Sequence, residues 1–96
     1  MKLKKIGVIG LGYVGLPLAL NFGKVKNFIV YGFDNDQSKL KNILKGKSYI
    51  SHIDSQNIID FNKKNKVSSD YSIIKSLDLI ILCLPTPLKK NNKPDL

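Results

Sequence analysis

Ninety-six residues make at most one small domain. Hydrophobic residues form 43% of the chain, an ordinary globular share. No apolar run approaches the ~20 residues of a membrane-spanning helix, which argues against a membrane protein. The net charge of +9 suggests acidic partners, but all 16 basic residues are lysine, spread along the whole length. Without arginine there is no planar fork to read phosphate or guanine in bidentate fashion. The charge therefore reads as a solvated surface that helps steer an anionic ligand, and no nucleic-acid partner is expected. The basic, apolar start is interrupted by glycines and Pro17, with no small-residue cleavage site after it, so the expected location is cytoplasmic.

The spacing predicts a first strand over residues 3–9. Its continuous apolar run suits a parallel sheet buried on both faces. The run meets three glycines spaced G-x-G-x-x-G, Gly10, Gly12 and Gly15. A helix follows from about Val14 to Lys24, with Pro17 in its first turn, where a missing N–H matters little. Strand, glycine turn and helix in that order are what a dinucleotide site requires. Gly10 permits the sharp turn, Gly12 leaves room for a pyrophosphate, and Gly15 lets helix and strand pack closely. The helix N-terminus offers free N–H groups and a positive dipole end. The second strand, Phe28 to Phe33, ends at Asp34, 19 positions after Gly15. An acidic residue is needed there to hold the ribose hydroxyls. Lys39 falls near the ribose side of this site.

Asp36 is placed to cap a second helix over Gln37 to Leu44, with Leu40, Ile43 and Leu44 as its core-facing stripe and Gly46 as its stop. Residues 47–53 read as a loop with apolar anchors. It carries His52, and one histidine alone cannot make a metal site. Asp54 or Ser55 caps a third helix, roughly Gln56 to Lys64, whose apolar residues are Ile58, Ile59 and Phe61. A short strand over Val67 to Ser69 and a helical turn over Tyr71 to Ser76 follow. The last strand, Leu77 to Leu84, contains Cys83, the single cysteine, which excludes an internal disulfide and is expected to behave as a small buried hydrophobe. The strand exits through Pro85-Thr86-Pro87. Thr86 thus lies at a strand C-terminal end, where ligands of open α/β sheets sit. The expected fold is α/β, a partial Rossmann fold. It is a parallel sheet of the first βαβαβ half plus one strand, in the order 3-2-1-4.

With these residues laid out, the chain resembles the N-terminal part of the nucleotide-sugar 6-dehydrogenases, the UDP-glucose and UDP-N-acetylhexosamine enzymes. The matching stretches are Gly10-Leu-Gly-Tyr-Val-Gly-Leu-Pro-Leu18, Gly32-Phe-Asp34 with Lys39, Gly46-Lys-Ser-Tyr-Ile-Ser-His-Ile53 and Leu84-Pro-Thr-Pro-Leu88. The Tyr-Ile-x-His-Ile segment is most similar to the branch acting on UDP-N-acetylated hexosamines. The resemblance implies an NAD-dependent oxidation of the sugar 6-hydroxymethyl to a carboxylate in two steps, through a cysteine-bound thiohemiacetal and thioester, for surface polysaccharide precursors. It implies cofactor contacts from Gly10, Gly12, Tyr13, Val14, Gly15, Asp34, Lys39, Pro85 and Thr86. Within that set Val14 would meet the pyrophosphate through its backbone, Asp34 the adenosine ribose, and Thr86 the nicotinamide half. Asp34 favours NAD over NADP, since a carboxylate repels a 2′-phosphate. The resemblance also implies a homo-oligomer for the full-length enzyme.

The family's catalytic cysteine, its lysine and asparagine partners and the UDP-sugar domain lie beyond this length, and Cys83 does not match the nucleophile. Residues 1–96 are therefore expected to be the beginning of an NAD-binding domain, with no catalytic residue and no turnover by themselves. The alternative reading is a non-catalytic nucleotide-binding module acting with a partner chain.

Overall fold

A computed structural model describes residues 2–84. Four parallel strands form one sheet in the order β3-β2-β1-β4, as the crossover pattern predicts. The strands are β1 (Lys4–Ile9), β2 (Phe28–Phe33), β3 (Lys66–Ser68) and β4 (Leu79–Leu82), and the helices are α1 (Gly15–Gly23), α2 (Gln37–Leu44) and α3 (Ser55–Asn62). A 3-10 helix, Tyr71–Ser76, connects β3 to β4. β1 and β2 pair along their full lengths, Lys4 opposite Phe28 through to Ile9 opposite Phe33. This register brings the C-terminal ends of both strands to one rim of the sheet, where Gly10 and Asp34 follow them. The Gly10 N–H extends the pairing by donating to the Phe33 carbonyl at 2.8 Å.

The main core lies between one sheet face and the three helices. Val8 and Val30 meet Leu16, Ala19 and Leu20 of α1, Leu40 and Ile43 of α2, and Ile58 and Phe61 of α3. Side chains alternate along a strand, so Phe33 points to the opposite face, where the Tyr71 ring stacks on it at 5.5 Å. Buried Asn65 ties the helical layer to the sheet. It accepts from the Val30 N–H at 2.8 Å and donates to the carbonyls of Gly23 and Phe61.

Local signals act where they were expected. The Asp36 carboxylate caps α2, accepting from the N–H groups of Ser38 and Lys39. Gly46 ends α2 with φ +74°, and the pair Gly46 N–H to Ile43 O and Lys47 N–H to Asn42 O closes a Schellman motif. Asp54 is the N-cap residue of α3 but makes no side-chain cap bond.

Three expectations are corrected. Leu44 belongs to the helical stripe by spacing yet is 67% exposed. It lines an open groove with Asn62, Lys66 and Val67 beside β3, the edge strand, where no further described strand covers it. The last strand is also shorter than Leu77 to Leu84. Leu77 ends the 3-10 helix, and Cys83 falls just past β4 as a half-buried residue packed against the core, not a fully buried strand residue. No described helix is long and apolar enough to cross a membrane.

Candidate functional site

The three glycines have different reasons to be glycine. Gly10 has φ +97°, a conformation that side chains disfavour, and a Cβ there would meet the Cys83 carbonyl oxygen at 2.7 Å. At Gly15 a Cβ would overlap the Gly10 carbonyl oxygen. Both are demanded by the protein's own packing. At Gly12 a Cβ would meet nothing nearer than Lys39 Nζ at 4.0 Å. No protein neighbour requires glycine at that position, and it borders a cavity of about 540 Å³ shared with Gly10, Tyr13, Val14, Asp34 and Lys39. Leu82, Cys83 and Leu84 line the cavity's other side.

Val14 is the N-cap residue of α1 and supplies no side-chain cap. Among the described residues no backbone carbonyl accepts from the N–H groups of Gly12, Tyr13, Val14 or Gly15. Leu16 N–H is the first to be satisfied, by Gly12 O at 3.1 Å. Unpaired donors at the positive end of a helix favour an anion.

Asp34 stands at the end of β2, with its side chain 14% exposed. Its Oδ2 accepts from the Leu11 N–H at 2.8 Å and its Oδ1 from the Asp36 N–H at 2.8 Å. A carboxylate has about four acceptor sites, so both oxygens retain capacity for further donors. Lys39 Nζ lies 3.9 Å from Asp34 Oδ2, an ion pair at the cavity wall. Nearby Asp36 is exposed, and the Ser38 hydroxyl, followed by the Ser38 N–H, holds its carboxyl below the usual carboxylate range.

The structure thus brings Gly10, Gly12, Tyr13, Val14, Asp34 and Lys39 to one cavity, whereas Gly15 is buried against the Gly10 carbonyl and does not line it. Tyr13 and Val14 line this cavity and are exposed. Pro85 and Thr86 lie outside the described residues. His52 is exposed on the loop before α3. One contributor was not singled out by sequence reading. The Tyr49 hydroxyl donates to the Leu11 carbonyl inside the glycine loop. Burial, with Asp34 and Asp36 adding their negative charge, pushes the Tyr49 phenol well above its ordinary value, so it keeps the proton it donates. Only the loop's apolar anchoring hinted at this contact.

The glycine loop, the free N–H groups and the carboxylate at the end of β2 describe a dinucleotide cradle. The comparisons with known proteins agree. Residues 4–96 match the model of the UDP-glucose/GDP-mannose dehydrogenase family, NAD binding domain. The chain belongs to that family. Its cofactor class is NAD, and its sheet is the Rossmann sheet of these dehydrogenases. Protein CapL of Staphylococcus aureus is 38% identical over 97% of this chain and 21% of its own length. A UDP-N-acetyl-D-glucosamine 6-dehydrogenase of Pseudomonas aeruginosa is 33% identical over the whole chain and 22% of its own length. Among solved structures, the NDP-N-acetyl-D-galactosaminuronic acid dehydrogenase of Methanosarcina mazei superposes with a TM-score of 0.82 at 32% identity, covering 98% of this chain and 22% of that one. The GDP-mannose dehydrogenase of Pseudomonas aeruginosa, solved as a ternary complex, gives 0.84 at 28% identity, covering 94% and 21%. The chain spans about a fifth of the length of the relatives it matches.

Proposed function

We propose that this chain is the N-terminal part of the NAD-binding domain of a UDP-N-acetylhexosamine 6-dehydrogenase, an enzyme that oxidises the sugar 6-hydroxymethyl to a carboxylate with two NAD. The observation that carries the reading is Gly12, a glycine with no packing reason to be one, set between unpaired loop N–H groups and a carboxylate with spare acceptor sites. The relatives named as UDP-N-acetyl-D-glucosamine and UDP-N-acetyl-D-mannosamine dehydrogenases support the acetylhexosamine branch, with UDP-glucose as the neighbouring alternative.

In this reading the N–H groups of Gly12, Tyr13 and Val14 donate to the pyrophosphate. Gly10 and Gly15 hold the turn that aims them. Asp34 accepts from the adenosine ribose hydroxyls and disfavours a 2′-phosphate, and Lys39 balances its charge. Pro85 and Thr86 take the nicotinamide half. Bound NAD supplies the hydride acceptor. The nucleophile and the sugar pocket come from outside residues 1–96, so this stretch alone turns over no substrate. The assembled enzyme is a homo-oligomer serving surface polysaccharide synthesis.

Calorimetry with NAD and NADP tests the site. The wild-type protein should prefer NAD, and Asp34→Ala should lower NAD affinity about tenfold, or ~1.4 kcal/mol. Equal NAD affinity in the two proteins would remove Asp34 from the site. NADH formation from UDP-sugars by the 96-residue stretch alone would overturn the division of labour.

A further inference from the structure

Leu11, between the first two glycines of the loop, is tied on three sides. Its N–H donates to Asp34 Oδ2 at 2.8 Å. Its side chain is fully buried over Gly32, where a Cβ would come within 3.1 Å of both its terminal carbons. Its carbonyl accepts from the Tyr49 hydroxyl, which arrives from the loop between α2 and α3, 38 positions along the chain.

The third tie has a geometric consequence. The Leu11 carbonyl and the Gly12 N–H belong to one peptide unit. That unit is planar and trans, so the two groups point in opposite directions. Drawing the carbonyl toward Tyr49 turns the Gly12 N–H away from Tyr49. That N–H finds no backbone acceptor among the described residues, and Gly12 borders the cavity. Tyr49 itself is held by the core, against which its ring packs.

We propose that Tyr49 is a positioning residue of the cofactor site. Its hydroxyl, by fixing the Leu11 carbonyl, aims the Gly12 N–H at the diphosphate of the bound nucleotide. The proposal rests on the NAD reading of the cavity. Tyr49 touches no ligand; it acts through the loop.

The test uses the native protein with NAD, ADP and adenosine. NAD and ADP carry the diphosphate, whereas adenosine reports only the ribose and base side. Tyr49→Phe should weaken NAD and ADP about three- to tenfold, the worth of one hydrogen bond, while adenosine changes less than twofold. A 4-aminophenylalanine at position 49 restores a donor and should recover most of the loss. If Tyr49→Phe fails to fold, the comparison passes to 4-aminophenylalanine against 4-methylphenylalanine, similar in shape but with and without a donor. Unchanged NAD affinity, or equal losses for all three ligands, overturns the positioning role and leaves the cofactor site standing. Wild-type protein that binds no NAD overturns the underlying reading and this proposal with it.

Discussion

β1 and β4 are parallel neighbours built from similar apolar runs, Ile6 to Ile9 and Leu79 to Leu82. Their surroundings differ sharply. Ile6, Val8 and Ile9 are each 9% exposed or less, whereas Leu79 is 51% and Leu82 69% exposed. β1 has a strand on each side. β4 is paired on one side only among the described residues. Burial is therefore a property of what surrounds a strand, not of its own letters. Strands of this composition are normally covered on both faces, and an open apolar edge is a template for further pairing. The candidate site lies between the two regions, lined by the glycine loop that follows β1 and by Leu82 to Leu84 at the end of β4.

The contrast can be broken or sharpened by substitution. Gly15→Ala should have the largest effect. Its Cβ overlaps the Gly10 carbonyl, so the β1 turn and α1 cannot keep their contact, and denaturant unfolding should show a loss of about 3 kcal/mol. Gly12→Ala has no such clash. It should leave stability within about 0.5 kcal/mol of wild type, yet lower NAD affinity about tenfold. If Gly12→Ala destabilised the protein as much as Gly15→Ala, the distinction between packing and ligand glycines would collapse.

Ile6→Ala should cost about 2–3 kcal/mol. Leu82→Ala in the 96-residue chain should stay within about 0.5 kcal/mol. In a chain extended to the length of its relatives, a loss at Leu82 approaching that at Ile6 would show that further residues cover β4. The smallest expected effect is acidic. The Asp36 carboxyl lies below its ordinary 3.8 because Ser38 hydrogen-bonds its charged form. Its contribution is present above the unfolded value and fades as pH falls through the lower folded one. Protection of the amides in the first turn of α2, measured against their intrinsic exchange rates, should therefore fall only below about pH 3.8. Loss of that protection already at neutral pH would assign the cap elsewhere.

Much of the site was legible because its requirements are local. A positive φ at Gly10, a close approach at Gly15 and a carboxylate at the end of β2 each involve a few residues and leave a mark in spacing. The Asp36 cap and the Gly46 stop are legible for the same reason. Leu44 misled because helical spacing says which face a residue occupies but not whether the sheet extends beneath it. Cys83 misled because an apolar run does not show where pairing stops. Tyr49 was read as part of an anchoring loop and of the Tyr-Ile-x-His-Ile segment but not as a partner of Leu11, since their bond spans 38 positions and no period links them.

By itself, then, the order of residues determined the alternation of strands and helices, the strand sequence 3-2-1-4 and the cofactor class. These follow from backbone conformation, short-range capping and the handedness of crossovers. Tertiary structure alone decided how far β4 extends, that Leu44 stays exposed, and that a tyrosine from the α2–α3 loop donates to the Leu11 carbonyl. Each of those depends on atoms brought together through space, and only the folded chain sets their distances.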